Sequence, residues 1–232
     1  MVMGLMLNLQ LDRIQVNPVL GLIGGTGPEG LGLALRFSIA GEKVFLGSRD
    51  IKRAEAAAQS VSLLNPSGLV IGGRNLDVAR EADIVFVCVP YVSHRDVLMS
   101  MTKHLAGKIV IDVAAPVKFR DGLARAVPVD EGSVALQAHA ILTDSTVVAA
   151  FQTVAAQSLL GSDKRIEADV IVCADDPNAK EIVMKLAEKI KGIRAVNGGG
   201  LENACYIENF VALLININLT YSAHSSIKIA GI

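Results

Sequence analysis

The run Gly24-Gly25-Thr26-Gly27-Pro28-Glu29-Gly30 lies between an apolar stretch, Pro18 to Ile23, and a second stretch, Leu31 to Ala40. The first reads as a buried strand and the second as a helix. Glycines at 25, 27 and 30 therefore fall where a strand turns into a helix, with the G-x-G-x-x-G spacing of a dinucleotide fingerprint. Gly25 permits the tight turn, Gly27 lets a pyrophosphate approach the backbone, and Gly30 lets helix and strand pack closely. The free N–H groups of the first helical turn face the phosphates in such a motif. The spacing alone also fits a glycine-rich turn that only packs a helix on a sheet. The flanking strand and helix favour a bound dinucleotide at Gly24, Gly25, Thr26, Gly27, Pro28, Glu29 and Gly30.

The next determinant lies about 20 residues on, where the second strand ends. Lys43 to Leu46 is that strand, and Gly47-Ser48-Arg49-Asp50 closes it, with Lys52 and Arg53 following. An acid here holds the ribose hydroxyls of NAD. A hydroxyl and a guanidinium, Ser48 and Arg49, suit the additional phosphate of NADP, because Arg binds phosphate in a planar fork. Arg53, one helical turn further, is expected on the same phosphate, and Asp50 is read as the cap of the helix that follows.

Further blocks follow in order: Val89-Pro90, Val148-Ala149-Ala150-Phe151-Gln152-Thr153-Val154, Val172-Cys173-Ala174-Asp175-Asp176, and Gly199-Gly200-Leu201-Glu202-Asn203-Ala204. Together with the glycine turn and Gly47-Ser48-Arg49, they resemble the reductases that pass hydride between NADPH and coenzyme F420, a deazaflavin. The resemblance runs from about Val19 to the C-terminus. It implies an NADP-dependent oxidoreductase with F420 as co-substrate, and a His94 that flanks the nicotinamide. It also marks a departure: archaeal members carry His before the Thr, where this chain has Gln152. The same nucleotide domain occurs in membrane metalloreductases, so an NADPH-dependent reductase of a flavin or ferric chelate is the alternative. A non-catalytic NADP-binding protein is the reading from another class.

With 232 residues the chain can bury one large α/β core, and 51% hydrophobic against 19% charged residues suits a parallel sheet covered on both faces. A net charge of −1 argues against a nucleic-acid partner, and 4% aromatics with no Trp leave few platforms for stacking bases. Cys88, Cys173 and Cys205 have no CxxC spacing and read as reduced thiols, hence a cytoplasmic protein. Met1 to Leu11 lacks the features of a signal peptide and reads as a short arm. No apolar run approaches the roughly 20 residues of a membrane helix.

Alternating strands and helices predict a Rossmann-type, doubly wound, mostly parallel α/β sheet with a short helical C-terminal extension. The divisions are an N-terminal arm over 1–17, an NADP-binding domain over 18–200, and a helical segment over 201–232 that roofs the pocket, meets a second subunit, or both. Predicted helices include Ile51 to Ser62, Asn75 to Ala82, Val92 to His104 and Ser133 to Leu142. Residues Lys118 to Glu131 read as a loop and a candidate lid. The segment from Leu201 onward reads as helical, and Ile207 to Leu219 is apolar nearly all round, which predicts cover on several sides and a homodimer.

Chemistry belongs at the carboxyl ends of the strands near the switch in strand order. The sequence puts Val89, Pro90, Ala114 and Ala115 there beside the nicotinamide, and Gln152 and Thr153 beside the acceptor, with Leu201 and Asn203 closing the far side. These segments are short of acids and bases. Transfer of hydride between two rings needs chiefly alignment in a dry apolar slot. No catalytic acid or base is therefore assigned; His94 is equally well a structural histidine, and His224 is placed near the pocket only as a lesser expectation. Asp175 and Asp176 read as a helix cap rather than a metal pair, and Cys173 as core. An imino-acid or hydroxyacid reductase would append a large helical domain, whereas only 32 residues follow Gly200.

Overall fold

The computed structural model describes residues 18–161 and 165–232. The expected arm over 1–17 and most of the expected turn at Gly161-Ser162-Asp163-Lys164 lie outside those residues. The first half of the chain alternates β1 (Val19–Ile23), α1 (Pro28–Ile39), β2 (Lys43–Ser48), α2 (Ile51–Leu64), β3 (Val70–Arg74), α3 (Asn75–Glu81), β4 (Ile84–Val87), α4 (Tyr91–Met99), α5 (Thr102–Leu105) and β5 (Ile109–Asp112). A hairpin of β6 (Val117–Arg120) and β7 (Leu123–Ala126) follows. Then come α6 (Val134–Ile141), β8 (Thr146–Ala149), α7 (Ala156–Leu160), β9 (Ala168–Val172), α8 (Pro177–Glu188), β10 (Ile193–Asn197), a 3-10 turn at Leu201–Asn203 and α9 (Ala204–Tyr221).

Six strands form one parallel sheet in the order β3-β2-β1-β4-β5-β8. The order reverses between β1 and β4, so the glycine turn after β1 and the Cys88-Val89-Pro90 segment after β4 flank the switch point. The doubly wound α/β fold expected from the sequence is thus the observed one. β9 and β10 pair in parallel as a separate ribbon, joined to the edge of the main sheet through an antiparallel bridge between Ala149 and Cys173. Apolar layers cover both faces. One is centred on Phe37, Phe86 and Phe151, the other on Val85, Val87, Leu98 and Val110.

Several expectations are corrected. The expected loop over 118–131 is a hairpin in its first part, where β6 and β7 pair antiparallel up to Ala126, and a loop only over 127–131. Asp121 (φ 53°) and Gly122 (φ 76°) supply the two positive φ angles of the tight hairpin turn, the Asp-Gly signal for a primed turn. The helix expected over 92–104 is two pieces, broken after Ser100 at Met101, whose backbone (φ −125°, ψ 3°) leaves helical values. The apolar run from Thr146 to Phe151 reads as one strand, but β8 stops at Ala149, short of Phe151, whose φ of 75° no strand accommodates. The short α7 was not foreseen; it packs on α1, where the Arg36 side chain, buried in α1, donates from Nε to the Leu159 carbonyl at 2.8 Å and from Nη2 to the Ser158 carbonyl at 2.9 Å.

The C-terminal segment is not helical throughout. α9 ends at Ser222 in the left-handed conformation, and the chain then runs alongside β9. Asp169 N–H donates to the Ile227 carbonyl at 2.8 Å. The fully buried Asp169 carboxylate accepts from Ile229 N–H and from a two-pronged Arg194. Arg194 also donates to the Ile229 and Ile232 carbonyls, so one ion pair straps the last residues to the ribbon.

Candidate functional site

The three glycines do what their spacing predicts. A Cβ on Gly25 would lie 2.7 Å from Leu46 Cδ2 and 2.9 Å from the Leu22 carbonyl, and one on Gly30 would lie 2.4 Å from Gly25 Cα. A Cβ on Gly27 would meet no atom within 4 Å. Gly27 is also the N-cap of α1, with no side chain capping the helix and Pro at its first turn. The open space above a bare helix N-terminus is the cradle a pyrophosphate fills. The Asn75 amide oxygen accepts the Gly24 N–H at 3.0 Å, and Gly25 N–H donates to the Gly47 carbonyl at 3.0 Å, which together fix the turn.

A cleft of about 460 Å³ opens beside the end of β2, lined by Ser48, Arg49, Arg74, Asn75, Leu76 and, from α4 and beyond, Ser93, Asp96, Val97, Ser100 and Met101. Ser48 and Arg74 are register partners on neighbouring strands, so two guanidinium groups flank one hydroxyl. Asp50 faces away from this cleft; its carboxylate accepts the Lys52 N–H at 2.9 Å as the cap of α2. Arg53, expected beside Arg49, is not among the lining residues, and Arg74 takes that position instead.

At the switch point Val89 packs over Gly24, whose added Cβ would come within 2.5 Å of Val89 Cγ1. Pro90 caps α4. Ala114 is buried and Ala115 half-buried. His94 is not at the cleft surface. It is fully buried, with Nε2 2.7 Å from Asp112 Oδ2 and Nδ1 3.2 Å from Gln137 Oε1. Gln137 donates its NH₂ to Glu131 at 3.1 Å, so its oxygen faces His94. Burial lowers the His94 pKa, but the charge and hydrogen bond of Asp112 and the bond to Gln137 outweigh it, and the net shift is upward, toward the imidazolium form. His94 holds Asp112, whose other oxygen accepts the Ala114 N–H at 3.0 Å.

A second cleft, about 280 Å³, lies across the glycine turn. Its floor is Glu29, Gln152, Thr153, Val154, Ala155, Ala156 and Gln157; its roof is Val211, Leu214, Ile215 and Asn218 of α9 with His224 and Ser225. Gln152 is aimed by Phe151, whose left-handed backbone conformation is strained for an aromatic residue. The Phe151 ring is locked into the core, with centroids 6.0 Å from Phe37 and 5.8 Å from Phe86. Gln152 spends its NH₂ on the Asp112 carbonyl at 2.9 Å. Its Oε1 is buried with no partner, and so is Glu29 Oε1. Both residues line the same cleft. Burial raises the Glu29 pKa to about 8, against a helix-terminus field that favours the anion by only about 0.3–1 kcal/mol.

Leu201 and Asn203 do not line this cleft. Leu201 is buried in the core with its N–H donated to Asp175 Oδ1 at 2.9 Å, and Asn203 Nδ2 bonds the Gly198 carbonyl at 2.8 Å. Residues 211–218, about two to four turns along α9, do the roofing. Asp176 caps α8 through the Ala179 N–H at 2.7 Å. Glu208 ties the roof down by accepting the Val134 and Ala135 N–H groups at 2.7 and 3.0 Å. Burial raises its pKa to about 7 despite those two bonds. Among the described residues no group of three or more His, Cys, Asp or Glu could hold a metal ion, and no helix is long and apolar enough to cross a membrane.

The sequence profile of the family described as NADP oxidoreductase, coenzyme F420-dependent, matches residues 19–116. The F420-dependent NADP reductase of Methanothermobacter thermautotrophicus is 40% identical over 208 residues, which is 86% of this chain and 89% of that protein. The reductase of the same name from Methanocaldococcus jannaschii is 36% identical over 88% of this chain and 94% of its own length. A crystal structure of a candidate F420-dependent NADP reductase from Arthrobacter sp. FB24 superposes with a TM-score of 0.78 at 26% identity, covering 92% of this chain and 99% of that one.

Proposed function

The chain belongs to the family of coenzyme F420-dependent NADP oxidoreductases, and from that premise we propose that it transfers hydride between NADPH and the deazaflavin F420. The observation that carries the reading is the pairing of two clefts across one glycine turn. One has two arginines; the other is predominantly apolar with an orphaned amide oxygen. The pyrophosphate of NADPH belongs over Gly27 and the N-terminus of α1. Ser48, Arg49 and Arg74 take the adenosine phosphate, which selects NADPH over NADH. The nicotinamide then runs toward Val89, Pro90, Ala114 and Ala115.

NADPH supplies the hydride; the protein supplies alignment and dryness. The acceptor ring belongs between Gln152 and Thr153 on one side and the α9 residues Val211, Leu214 and Ile215 on the other. The pyrimidinedione of a deazaflavin carries an N–H that the Gln152 oxygen can accept. Roofing by apolar side chains excludes water from the reacting carbons.

NADPH oxidation assayed with F420 and with free flavin side by side tests the proposal. Turnover with F420 supports it. Turnover with flavin alone favours the second reading, a flavin or ferric-chelate reductase, whose specific support is Gln152 where archaeal relatives have His. A bulky residue at Thr153 or Ala115 is expected to block turnover while NADPH still binds. The three free thiols Cys88, Cys173 and Cys205 suit a reducing cytoplasm.

The same helix supports a homodimer. Ile207, Ala212 and Leu214 of α9 are buried, but Tyr206 is 73% and Leu213 50% exposed. With Phe210 and Ile217 they recur at i, i+4, i+7 and i+11, one face of the helix. The exposed Phe119 and Leu123 extend the apolar surface onto the hairpin, which is stitched to α9 by Asn216 through both polar groups of Ala124. A monomer in light scattering at micromolar concentration would refute the dimer.

A further inference from the structure

Among the described residues, Glu29 is the one acid lining the acceptor cleft. It stands in the first turn of α1, two residues beyond the N-cap Gly27, and lines the cleft together with Gln152. Its Oε1 is buried and has no partner. A buried carboxyl oxygen left without a donor is costly and calls for a ligand group or a proton. We propose that Glu29 is the acid–base residue of the reaction, exchanging a proton with the acceptor ring as hydride passes between the two cofactors.

The inference rests on the hydride-transfer reading above and deepens it. In the direction of acceptor reduction, a C–H bond of the dihydronicotinamide breaks with its electron pair and a C–H bond forms on the acceptor's ring carbon. The O–H bond of Glu29 breaks and an N–H bond forms on a ring nitrogen. NADPH is oxidised to NADP⁺, the acceptor is reduced by two electrons, and Glu29 remains as a carboxylate that regains a proton from water. In the reverse direction the carboxylate removes the ring proton.

Burial holds the acid form at neutral pH, since the carboxyl titrates near 8. The groups facing it do not oppose this. Cys88, at the end of β4, is held as a thiol first by burial and then by the charges of Glu29 and Asp112. Asp112 is already committed to His94 and the Ala114 N–H. His224 faces the cleft from the C-terminal segment. Burial is what keeps the proton on Glu29, as a general acid at neutral pH requires.

The test compares the full-length wild type with Glu29→Gln, which keeps the shape and removes the titration. Infrared difference spectra of the NADP-bound protein across a pH series should contain a protonated-carboxyl band titrating near pH 8, absent in the variant. Turnover toward acceptor reduction should fall as pH rises through that value in the wild type. In Glu29→Gln, assayed at saturating NADPH, it should drop about 100-fold and lose that dependence. Wild-type turnover and an unaltered pH profile in the variant, or no such band in the wild type, would overturn the proposal. A wild type that uses flavin but not F420 defeats the acceptor assignment alone; the same two profiles recorded with flavin then decide the role of Glu29.

Discussion

The two clefts are built by opposite means. The dinucleotide side is made of backbone geometry within one β-turn-α unit: Gly25 and Gly30 are there because a Cβ has no room, and Gly27 because the space above it is free. The acceptor side is made of side chains brought from far apart. Glu29 comes from α1, Gln152 from the end of β8, Leu214 from α9 and His224 from the strapped C-terminal segment. A local motif can be read from spacing, and a surface assembled over most of the chain cannot. Substitutions should therefore separate cleanly, with one class acting on NADPH and the other on the acceptor.

The largest effect is expected at Gly30. Its Cβ would sit 2.4 Å from Gly25 Cα, a backbone clash no rotamer relieves, so Gly30→Ala should destabilise the protein by more than about 3 kcal/mol and abolish NADPH binding. Gly27→Ala is the sharpening control. It should leave the Tm unchanged by calorimetry while raising the Kd for NADPH at least about 10-fold, roughly 1.4 kcal/mol. Equal effects of the two on Tm would break the distinction between a packing glycine and a cradle glycine.

Next is the strap. Arg194→Ala leaves Asp169 buried without its partner, at a cost of about 3 kcal/mol, and releases the segment that carries His224 and Ser225. KM for the acceptor should rise while the Kd for NADPH stays constant. A parallel loss of NADPH affinity would contradict the separation of the two sides. Arg49→Ala should do the reverse. Losing a charged hydrogen bond of about 1.5–3 kcal/mol weakens NADPH binding and leaves NADH and acceptor nearly unaffected. Arg74→Ala should behave like Arg49→Ala, and Arg53→Ala should not.

How far the sequence could be read follows the same division. Ser48 and Arg49 adjoin in the chain and were legible; Arg74 belongs with them only through the pairing of β2 with β3, which spacing does not reveal. Asp121-Gly122 carries a hairpin signal, but the strands it joins are only four residues each, too short for a clear alternating pattern. His94 was expected near the nicotinamide, yet its ring points inward, since Asp112 and Gln137 lie 18 and 43 residues away. Glu29 was read as one position of the glycine motif. Its burial and its orphaned oxygen arise from a cleft roofed by a helix that begins at Ala204.

The smallest effect is on stability against pH. Glu29 and Glu208 have folded pKa values of about 8 and about 7, both raised by burial from 4.5. Between the unfolded and folded values the folded state binds more protons, so stability is fullest below about 4.5 and declines as pH rises through 7 to 8. Glu29→Gln should flatten part of that decline and raise the Tm above pH 8 by a few degrees, on the order of 1 kcal/mol. An identical slope in the variant would place Glu29 in water rather than in the cleft.

Direct passage of hydride across the glycine turn is tested most simply with NADPH deuterated at the transferable nicotinamide position and F420 as acceptor in ordinary water. The carbon-bound deuterium should be recovered in reduced F420, with the nitrogen-bound proton coming from solvent. Deuterium released to water, or NADPH consumed without reduced F420, would contradict transfer between two rings aligned in one dry cleft.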